Sequence, residues 1–262
     1  MWKVYSKIHS GEPEMANRLQ FMTSLVIHPE GLLLQFFSSF PDSPWPFPRY
    51  IGECGRLVIV EHAGTPLREF YDAPWVDRAR LVLDVFDVVD RLQRLSPDWS
   101  ILFTDLHSDN FAVSPSGELV IVDLEDILVL DKHLKQNAGR TRKTRKSFKE
   151  LKELADLVAD DPDEYCQDIP HSDVMYLSVC ILLLSNWENA TRVGEDAIGI
   201  DGNIDTSAVR IGALLDDPPP SIRDELETLL ARCLHENSSG DRLHAIEQLR
   251  RILRQVWNGF ED

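Results

Sequence analysis

The segment ILFTDLHSDNFAVSPSGELVIVDLED, residues 101–126, decides the fold of this chain. It places Asp105 and Asn110 five residues apart in a loop, and Asp123 follows thirteen residues after Asn110, behind a strand-like run. The intervening residues predict a hairpin of two short strands, FAV and LVIV, joined by a turn at residues 114–117. Because a hairpin returns the chain to its starting end, Asn110 and Asp123 are expected to emerge at the same end.

This spacing is typical of phosphoryl-transfer sites. That chemistry needs a carboxylate beside the attacking hydroxyl and oxygen ligands that hold magnesium on the nucleotide phosphates, because catalysis there is mostly positioning and charge neutralisation. Protein kinases and their relatives use an Asp-x-x-x-x-Asn loop, then a hairpin, then a metal-binding Asp. An ordinary Asp- and Asn-rich turn next to a buried strand would show the same residues, so the spacing alone leaves both readings open.

Composition limits the classes of function. The chain has 262 residues and a formal net charge of −17, which argues against broad nucleic-acid binding because phosphate backbones need a positive surface. No apolar run approaches the roughly 18 residues that span a bilayer. Residues 132–152 are locally basic, which is typical of a solvated loop or helix face and, less often, of a site for an acidic partner.

The cysteines leave the redox compartment open. None of the four has a C-x-x-C spacing, which argues against zinc–thiolate or thioredoxin-like chemistry. They allow three disulfide pairings, or none in a reducing compartment. The four cysteines are Cys54, Cys166, Cys180 and Cys233. The first thirty residues show no signal-peptide pattern, so the chain is expected either to lack one or to be missing an upstream segment.

Strand patterns concentrate early in the chain and helical patterns late. A strand is predicted at 2–8 and another at 57–60, with a hinge at 61–64. Helices are predicted at about 15–27, 75–95, 174–187, 221–234 and 243–257, and a short buried element of unassigned type at 32–37. This order predicts an α+β fold with a small β-rich lobe and hinge at residues 1–62 and a mostly helical large lobe at residues 63–262.

Two later segments agree with a kinase-like order. The sequence SDVMYLSV, residues 172–179, resembles the kinase helix whose aspartate, here Asp173, holds the backbone of the catalytic loop. An aspartate at a helix N-terminus would explain Asp173 equally well. The segment Asp241-Arg242 resembles the late kinase helix in which an arginine anchors the activation segment, although Arg242 could also be a surface arginine.

A specific family resemblance covers the chain from about residue 25 to its end. The segments that carry it are Trp45-Pro46-Phe47-Pro48-Arg49, Gly52-Glu53-Cys54-Gly55-Arg56-Leu57-Val58, Ala73-Pro74-Trp75, Asp109-Asn110-Phe111-Ala112-Val113 and Val120-Ile121-Val122-Asp123. The chain resembles the divergent protein kinase domain 2 proteins, the "deleted in autism" group. The resemblance implies a protein-kinase-like two-lobe fold, passage through the secretory pathway, and residence in the Golgi or outside the cell. It does not settle whether the chain is a catalyst.

The resemblance also implies roles for individual residues. Asp105 matches the catalytic-loop aspartate, and Asn110 and Asp123 match the residues that hold Mg²⁺ or Mn²⁺ on ATP. Lys3, or alternatively Lys7, would bind the nucleotide phosphates. Its glutamate partner would be Glu14 or Glu12, and Asp173 and Arg242 would support the site structurally.

Three departures from the kinase pattern weaken the prediction of catalysis. Phe103-Thr104 replaces the usual His-Arg before the catalytic aspartate, and Leu124-Glu125 replaces the Phe-Gly pair after Asp123. No glycine-rich loop precedes the first strand, so the small lobe is incomplete and the chain is expected to lack an amino-terminal part.

The motifs predict a kinase-like protein with weak or no phosphotransfer to protein hydroxyls and a protein substrate or cell-surface partner. The family resemblance implies that it belongs to the secretory pathway. One alternative is a pseudokinase acting as a secreted ligand or scaffold. Another is a small-molecule phosphotransferase of the aminoglycoside or choline kinase type, since Asp105-Leu106-His107 followed by Asn110 also resembles the loop of those enzymes. If the chain is complete, the missing signal peptide would make it cytoplasmic.

Overall fold

In the part of the chain that the structure describes, helices combine with three small antiparallel sheets in an α+β arrangement. The computed structural model describes residues 14–39, 45–54, 57–96, 99–103, 106–125, 127–131, 173–183, 213–235 and 239–258. Its helices are α1 (Glu14–Ile27), α2 (Pro29–Ser38), α3 (Trp75–Arg94), α4 (Asp173–Leu182), α5 (Arg223–His235) and α6 (Ser239–Asn258). Short 3-10 turns cover Leu67–Phe70, Ser108–Asn110 and Ala213–Leu215.

Two of the four strand pairs in the described residues join consecutive strands, and the other two join strands that are farther apart in sequence. The strands are β1 (Tyr50–Cys54), β2 (Leu57–Val60), β3 (Thr65–Pro66), β4 (Trp99–Phe103), β5 (Phe111–Val113), β6 (Leu119–Ile121) and β7 (Ile127–Asp131). In the described residues β1 pairs with β2, β5 lies between β3 and β6, and β4 pairs with β7. All of these pairs are antiparallel.

Helix α3 is the central element of the core. Its apolar residues recur at helical spacing, and Val82, Val85, Phe86 and Val89 are 0% exposed. The helix packs against α4, α6, β4, β6 and the 3-10 turn at Ala213–Leu215. The helical part and the sheets that carry the predicted site therefore share one hydrophobic core.

A polar network and a disulfide join the helices beneath this core. Asp90 of α3 accepts hydrogen bonds from the Tyr176 hydroxyl of α4 and, at 2.9 Å, from the Arg250 guanidinium of α6. The disulfide connects Cys180 of α4 to Cys233 of α5, with Cα atoms 6.3 Å apart, and both residues are fully buried. The polar contacts thus join α3, α4 and α6, and the covalent bond adds α5 to them.

The proline-rich connector before β1 fastens α2 to the sheet of β6. The rings of Trp45 and Phe47 each lie 4.8 Å from the ring of Phe37, near the end of α2. Between them, the Pro46 carbonyl accepts a 2.7 Å hydrogen bond from the Ile121 amide of β6. The connector is therefore held in place by aromatic packing and by a backbone hydrogen bond.

Gly64 lies in the short connection between β2 and β3, in a backbone conformation that requires glycine. Its φ is +115°, and a Cβ placed there would lie 1.9 Å from the Val113 carbonyl oxygen of β5. The chain leaving the predicted hinge therefore runs directly against the predicted hairpin.

The structure confirms most of the predicted elements that fall in the described residues. The helix at 15–27 ends before His28-Pro29, as proline's restriction on the preceding residue predicts, and the helices at 75–95, 221–234 and 243–257 are present with shifted ends. The buried element at 32–37 is helical and longer than predicted. The predicted strand at 2–8 lies outside the described residues, and the lobe boundary at 62 and 63 stays a prediction. No helix in the described part of the chain is long and apolar enough to cross a membrane.

Candidate functional site

The predicted hairpin brings Asn110 and Asp123 to one end of a sheet. Strands β5 and β6 pair with Phe111 opposite Ile121, so the residue before one strand and those after the other lie side by side. The Val122 amide donates a 3.0 Å hydrogen bond to the Asn110 carbonyl and extends the pairing beyond the strands. Asn110 itself is only 5% exposed.

Local hydrogen bonds fix the loop that carries Asn110. The Nδ1 atom of His107 accepts a 3.2 Å hydrogen bond from the Asp109 amide and caps the 3-10 turn. The Asp109 carboxylate forms a 2.8 Å ion pair with Arg68. The Tyr71 oxygen is hydrogen-bonded to Ser108, and burial raises the pKa of the Tyr71 hydroxyl despite this bond. Arg68 and Tyr71, which follow the predicted hinge, therefore fix the loop that carries Asn110.

The loop after β6 is ordered by the Asp123 side chain. Asp123 Oδ1 accepts a 3.0 Å hydrogen bond from the Glu125 amide. Leu124, between them, is fully buried in the core. The chain therefore turns sharply here, with Leu124 directed inward and both carboxylates left at the surface or partly exposed.

Helix α2 supplies a third carboxylate next to Asp123. Glu30, in the first turn of α2, accepts a hydrogen bond from the Leu124 amide. Burial raises the pKa of the Glu30 carboxyl, and repulsion from the Asp123 carboxylate raises it further. The start of α2 and the loop after β6 are thus in direct contact.

A histidine completes this group of side chains. His28 Nδ1 lies 3.1 Å from Glu125 Oε1, and one donor atom from each of His28, Glu30 and Glu125 lies within 4.8 Å of the other two. Imidazole nitrogen and carboxylate oxygen are both ordinary metal ligands. Among the described residues this is the one cluster of three such side chains at metal-binding distances.

Several predicted site residues fall outside what the structure describes. Asp105 and Lys3 lie outside the described residues, so their roles stay predictions. Glu14 and Asp173 are the first residues of α1 and α4. Arg242 is buried, and its Nε donates a 2.8 Å hydrogen bond to the Cys233 carbonyl of α5, so Arg242 is a buried residue of the α5–α6 contact and not a surface arginine.

Sequence reasoning missed His28 and Glu30 as members of the site. The sequence pattern predicts only a helix that stops just before His28, and a Glu125 that replaces the kinase glycine. A His-x-Glu pair at the start of a helix and an Asp-x-Glu pair after a strand were the available signals. Nothing in either pair alone shows that the two segments meet, because that contact spans more than ninety residues of chain.

Comparisons with known proteins cover most of this chain. A family model described as "Protein-kinase domain of FAM69" matches residues 22–236. Divergent protein kinase domain 2A of Xenopus tropicalis is 33% identical over 245 residues, which are 92% of this chain and 53% of the relative. The human protein of the same name is 32% identical over 247 residues, which are 93% of this chain and 53% of the relative.

A second group of relatives matches a shorter part of the chain. Human divergent protein kinase domain 2B is 33% identical over 116 residues, or 44% of this chain and 26% of the relative. The chain spans about half the length of the 2A relatives that it matches. The family model covers most of the chain, and the α+β architecture agrees with it. This chain therefore belongs to the family of the FAM69 protein-kinase domain and has a protein-kinase-like fold.

Proposed function

We propose that this chain is a kinase-like domain of the secretory pathway that binds ATP through a divalent metal ion at Asn110 and Asp123. The observation that carries the proposal is the hydrogen bond between the Val122 amide and the Asn110 carbonyl, 3.0 Å long. This bond brings the buried Asn110 and the carboxylate-bearing Asp123 to neighbouring positions at one end of the sheet. Kinase-type phosphoryl transfer uses this pair of groups to hold the metal.

The residues present fit magnesium or manganese. Both ions prefer oxygen ligands, and the side chains of Asn110 and Asp123 offer an amide oxygen and a carboxylate. When bound, the metal would neutralise negative charge on the nucleotide phosphates. Asp105, if it lies where the family pattern implies, would orient a substrate hydroxyl and accept its proton.

The disulfide supports a secretory location. Cys180 and Cys233 are fully buried and joined between two helices. Disulfides of this kind persist in oxidising compartments and are rare in the cytosol, where thiols are kept reduced. The Golgi or the extracellular space therefore suits this chain better than the cytoplasm. Maleimide labelling of protein that is denatured without a reductant tests this: Cys180 and Cys233 should react only after a reductant is added, and labelling of both without it would contradict the bridge.

Nucleotide-dependent thermal stabilisation tests the metal site. At an ATP–Mg²⁺ or ATP–Mn²⁺ concentration ten times Kd, binding should add about 1.4 kcal/mol, or a rise in Tm of about 3–6 °C. Asp123→Asn should abolish the rise, whereas Asp87→Asn on the exposed side of α3 should keep it. The proposal is wrong if neither metal gives a shift, or if both variants respond alike.

A second candidate function is that of a pseudokinase acting as a secreted ligand or scaffold. Glu125, which stands where kinases have glycine, pairs with His28 at 3.1 Å, and this contact ties the loop after Asp123 to α2. Glycine at that position gives kinases flexibility that this chain lacks. Binding to cells or to a receptor that survives Asp105→Ala and Asp123→Asn would favour this function over catalysis.

A further inference from the structure

We propose that His28, Glu30 and Glu125 form a binding site for a transition-metal ion of the zinc class, separate from the metal held on a nucleotide. The three side chains come from the start of α2 and the loop after β6, and their ligand atoms lie within 4.8 Å of one another. Because the site needs no nucleotide, it does not depend on the proposed kinase-like function.

The donor set selects the kind of metal. Mg²⁺ and Ca²⁺ take oxygen ligands, whereas an imidazole nitrogen with carboxylate oxygens suits Zn²⁺ and neighbouring first-row ions. Bonds of 2.0–2.2 Å at tetrahedral angles separate two ligands by about 3.4 Å. The His28–Glu125 pair, at 3.1 Å, is already close to that separation. Small side-chain rotations would bring the third ligand in, and water would complete the coordination.

The imidazole of His28 faces the carboxylates of the cluster and does not cap the helix that it precedes. His28 is the residue immediately before α2, yet its side chain makes no capping hydrogen bond to the helix. Its side chain is 26% exposed and is directed at Glu125 instead. A histidine that faces two glutamates, and not the adjacent backbone, is placed as a ligand would be.

The charge around the cluster favours a cation. Asp123 adds a third carboxylate to Glu30 and Glu125, and Glu30 is partly buried. Within the described ranges, no Lys or Arg forms an ion pair with any of these three carboxylates. Like charges in a partly desolvated group repel each other, and a divalent cation between them would relieve that repulsion.

Metal titration of the chain alone tests the site. Calorimetry with Zn²⁺, and visible absorption with Co²⁺ in its place, should give one ion per chain in a Cys54→Ser, Cys166→Ser background, which removes both cysteines outside the Cys180–Cys233 bridge as competing ligands. His28→Gln and Glu125→Gln should each weaken binding at least about 10-fold, the loss that even an outer partner of a metal ligand can cause. His244→Gln, at an exposed histidine of α6, is the matched control and should bind as the parent does.

Each outcome supports the site or overturns it. Equal Tm values of the parent and the His28→Gln variant in EDTA would show that the variant folds, so that lost binding reflects a lost ligand. Absence of stoichiometric Zn²⁺ and Co²⁺ binding to the parent overturns the proposal, as does an effect of His244→Gln equal to that of His28→Gln.

A further arm separates this site from the proposed nucleotide metal. Asp123→Asn should remove ATP-dependent stabilisation but reduce Zn²⁺ affinity less than His28→Gln does, since Asp123 only adds charge here. If zinc binding were lost in Asp123→Asn and kept in His28→Gln, the ion would occupy the nucleotide site and the assignment would be wrong.

Discussion

Replacing both half-cystines of the Cys180–Cys233 bridge with alanine should lower the free energy of unfolding by about 4 kcal/mol. The two residues are 53 apart in sequence, and the loop that they close has an unfolded-state entropy loss that corresponds to about 4 kcal/mol at 25 °C. Alanine is the appropriate replacement because both positions are 0% exposed, and serine would bury a hydroxyl without a certain partner.

Urea titration followed by tryptophan fluorescence measures this loss. For a slope of about 2–3 kcal/mol per molar, the midpoint should fall by on the order of 1–2 M. Cys54→Ser, at the exposed free cysteine of β1, should leave the midpoint unchanged. Dithiothreitol should lower the midpoint of the parent toward that of the double variant and leave the double variant where it is. A double variant as stable as the parent would refute the reasoning, because the bridge would then not stabilise the fold by restricting the unfolded chain.

Three further predictions concern the backbone near the site and the buried network of the helices. Gly64→Ala should cost about 3 kcal/mol in urea denaturation, whereas Gly52→Ala, where an added Cβ meets nothing within 4 Å, should change stability by less than about 0.5 kcal/mol; equal effects would contradict the close approach at Gly64. Tyr176→Phe should cost about 1–2 kcal/mol, because Asp90 loses a buried donor, and an unchanged Tm would count against that hydrogen bond. Burial raises the pKa of the Asp90 carboxyl, but the bonds from Arg250 and Tyr176 outweigh burial and lower it below 3.8, so its stabilisation is present above that pH and lost as the pH falls through the folded pKa. The Tm difference between the parent and Asp90→Asn should therefore shrink in acid, and a constant difference would be inconsistent with this shift.

The parts of the fold that sequence could predict are those determined by local pattern. Hairpin β5–β6 is signalled by two apolar runs around a Ser-Pro-Ser-Gly turn, and α3 by apolar residues at helical spacing. The pairing of β4 with β7 was not predicted, because its strands are separated in sequence by the whole hairpin and contain no mark of their partner. The pairing of Cys180 with Cys233 depended likewise on how two distant helices pack.

The candidate site divides in the same way. Asn110 and Asp123 could be placed together because the turn between them is short. Glu30 could not be placed beside Asp123, since α2 reaches that loop only through tertiary packing. His28 directly follows the helix predicted at about 15–27, and its side chain also contacts Glu125. A residue with a clear local role thus concealed a second, long-range one.

The aromatic contacts at the end of α2 make this helix a short lever. Phe37 is clasped by Trp45 and Phe47, whose connector is bonded to β6 through Pro46, while Glu30 lies two turns away at the other end. At 1.5 Å per residue, Glu30 lies about 10 Å from Phe37 along the helix axis. A tilt of the helix by about 10° around Phe37 would therefore displace Glu30 by about 2 Å. That displacement exceeds the tolerance of a hydrogen bond. A tilt of α2 about its fixed end would therefore disturb the contacts of Glu30 with the loop that carries Asp123 and Glu125.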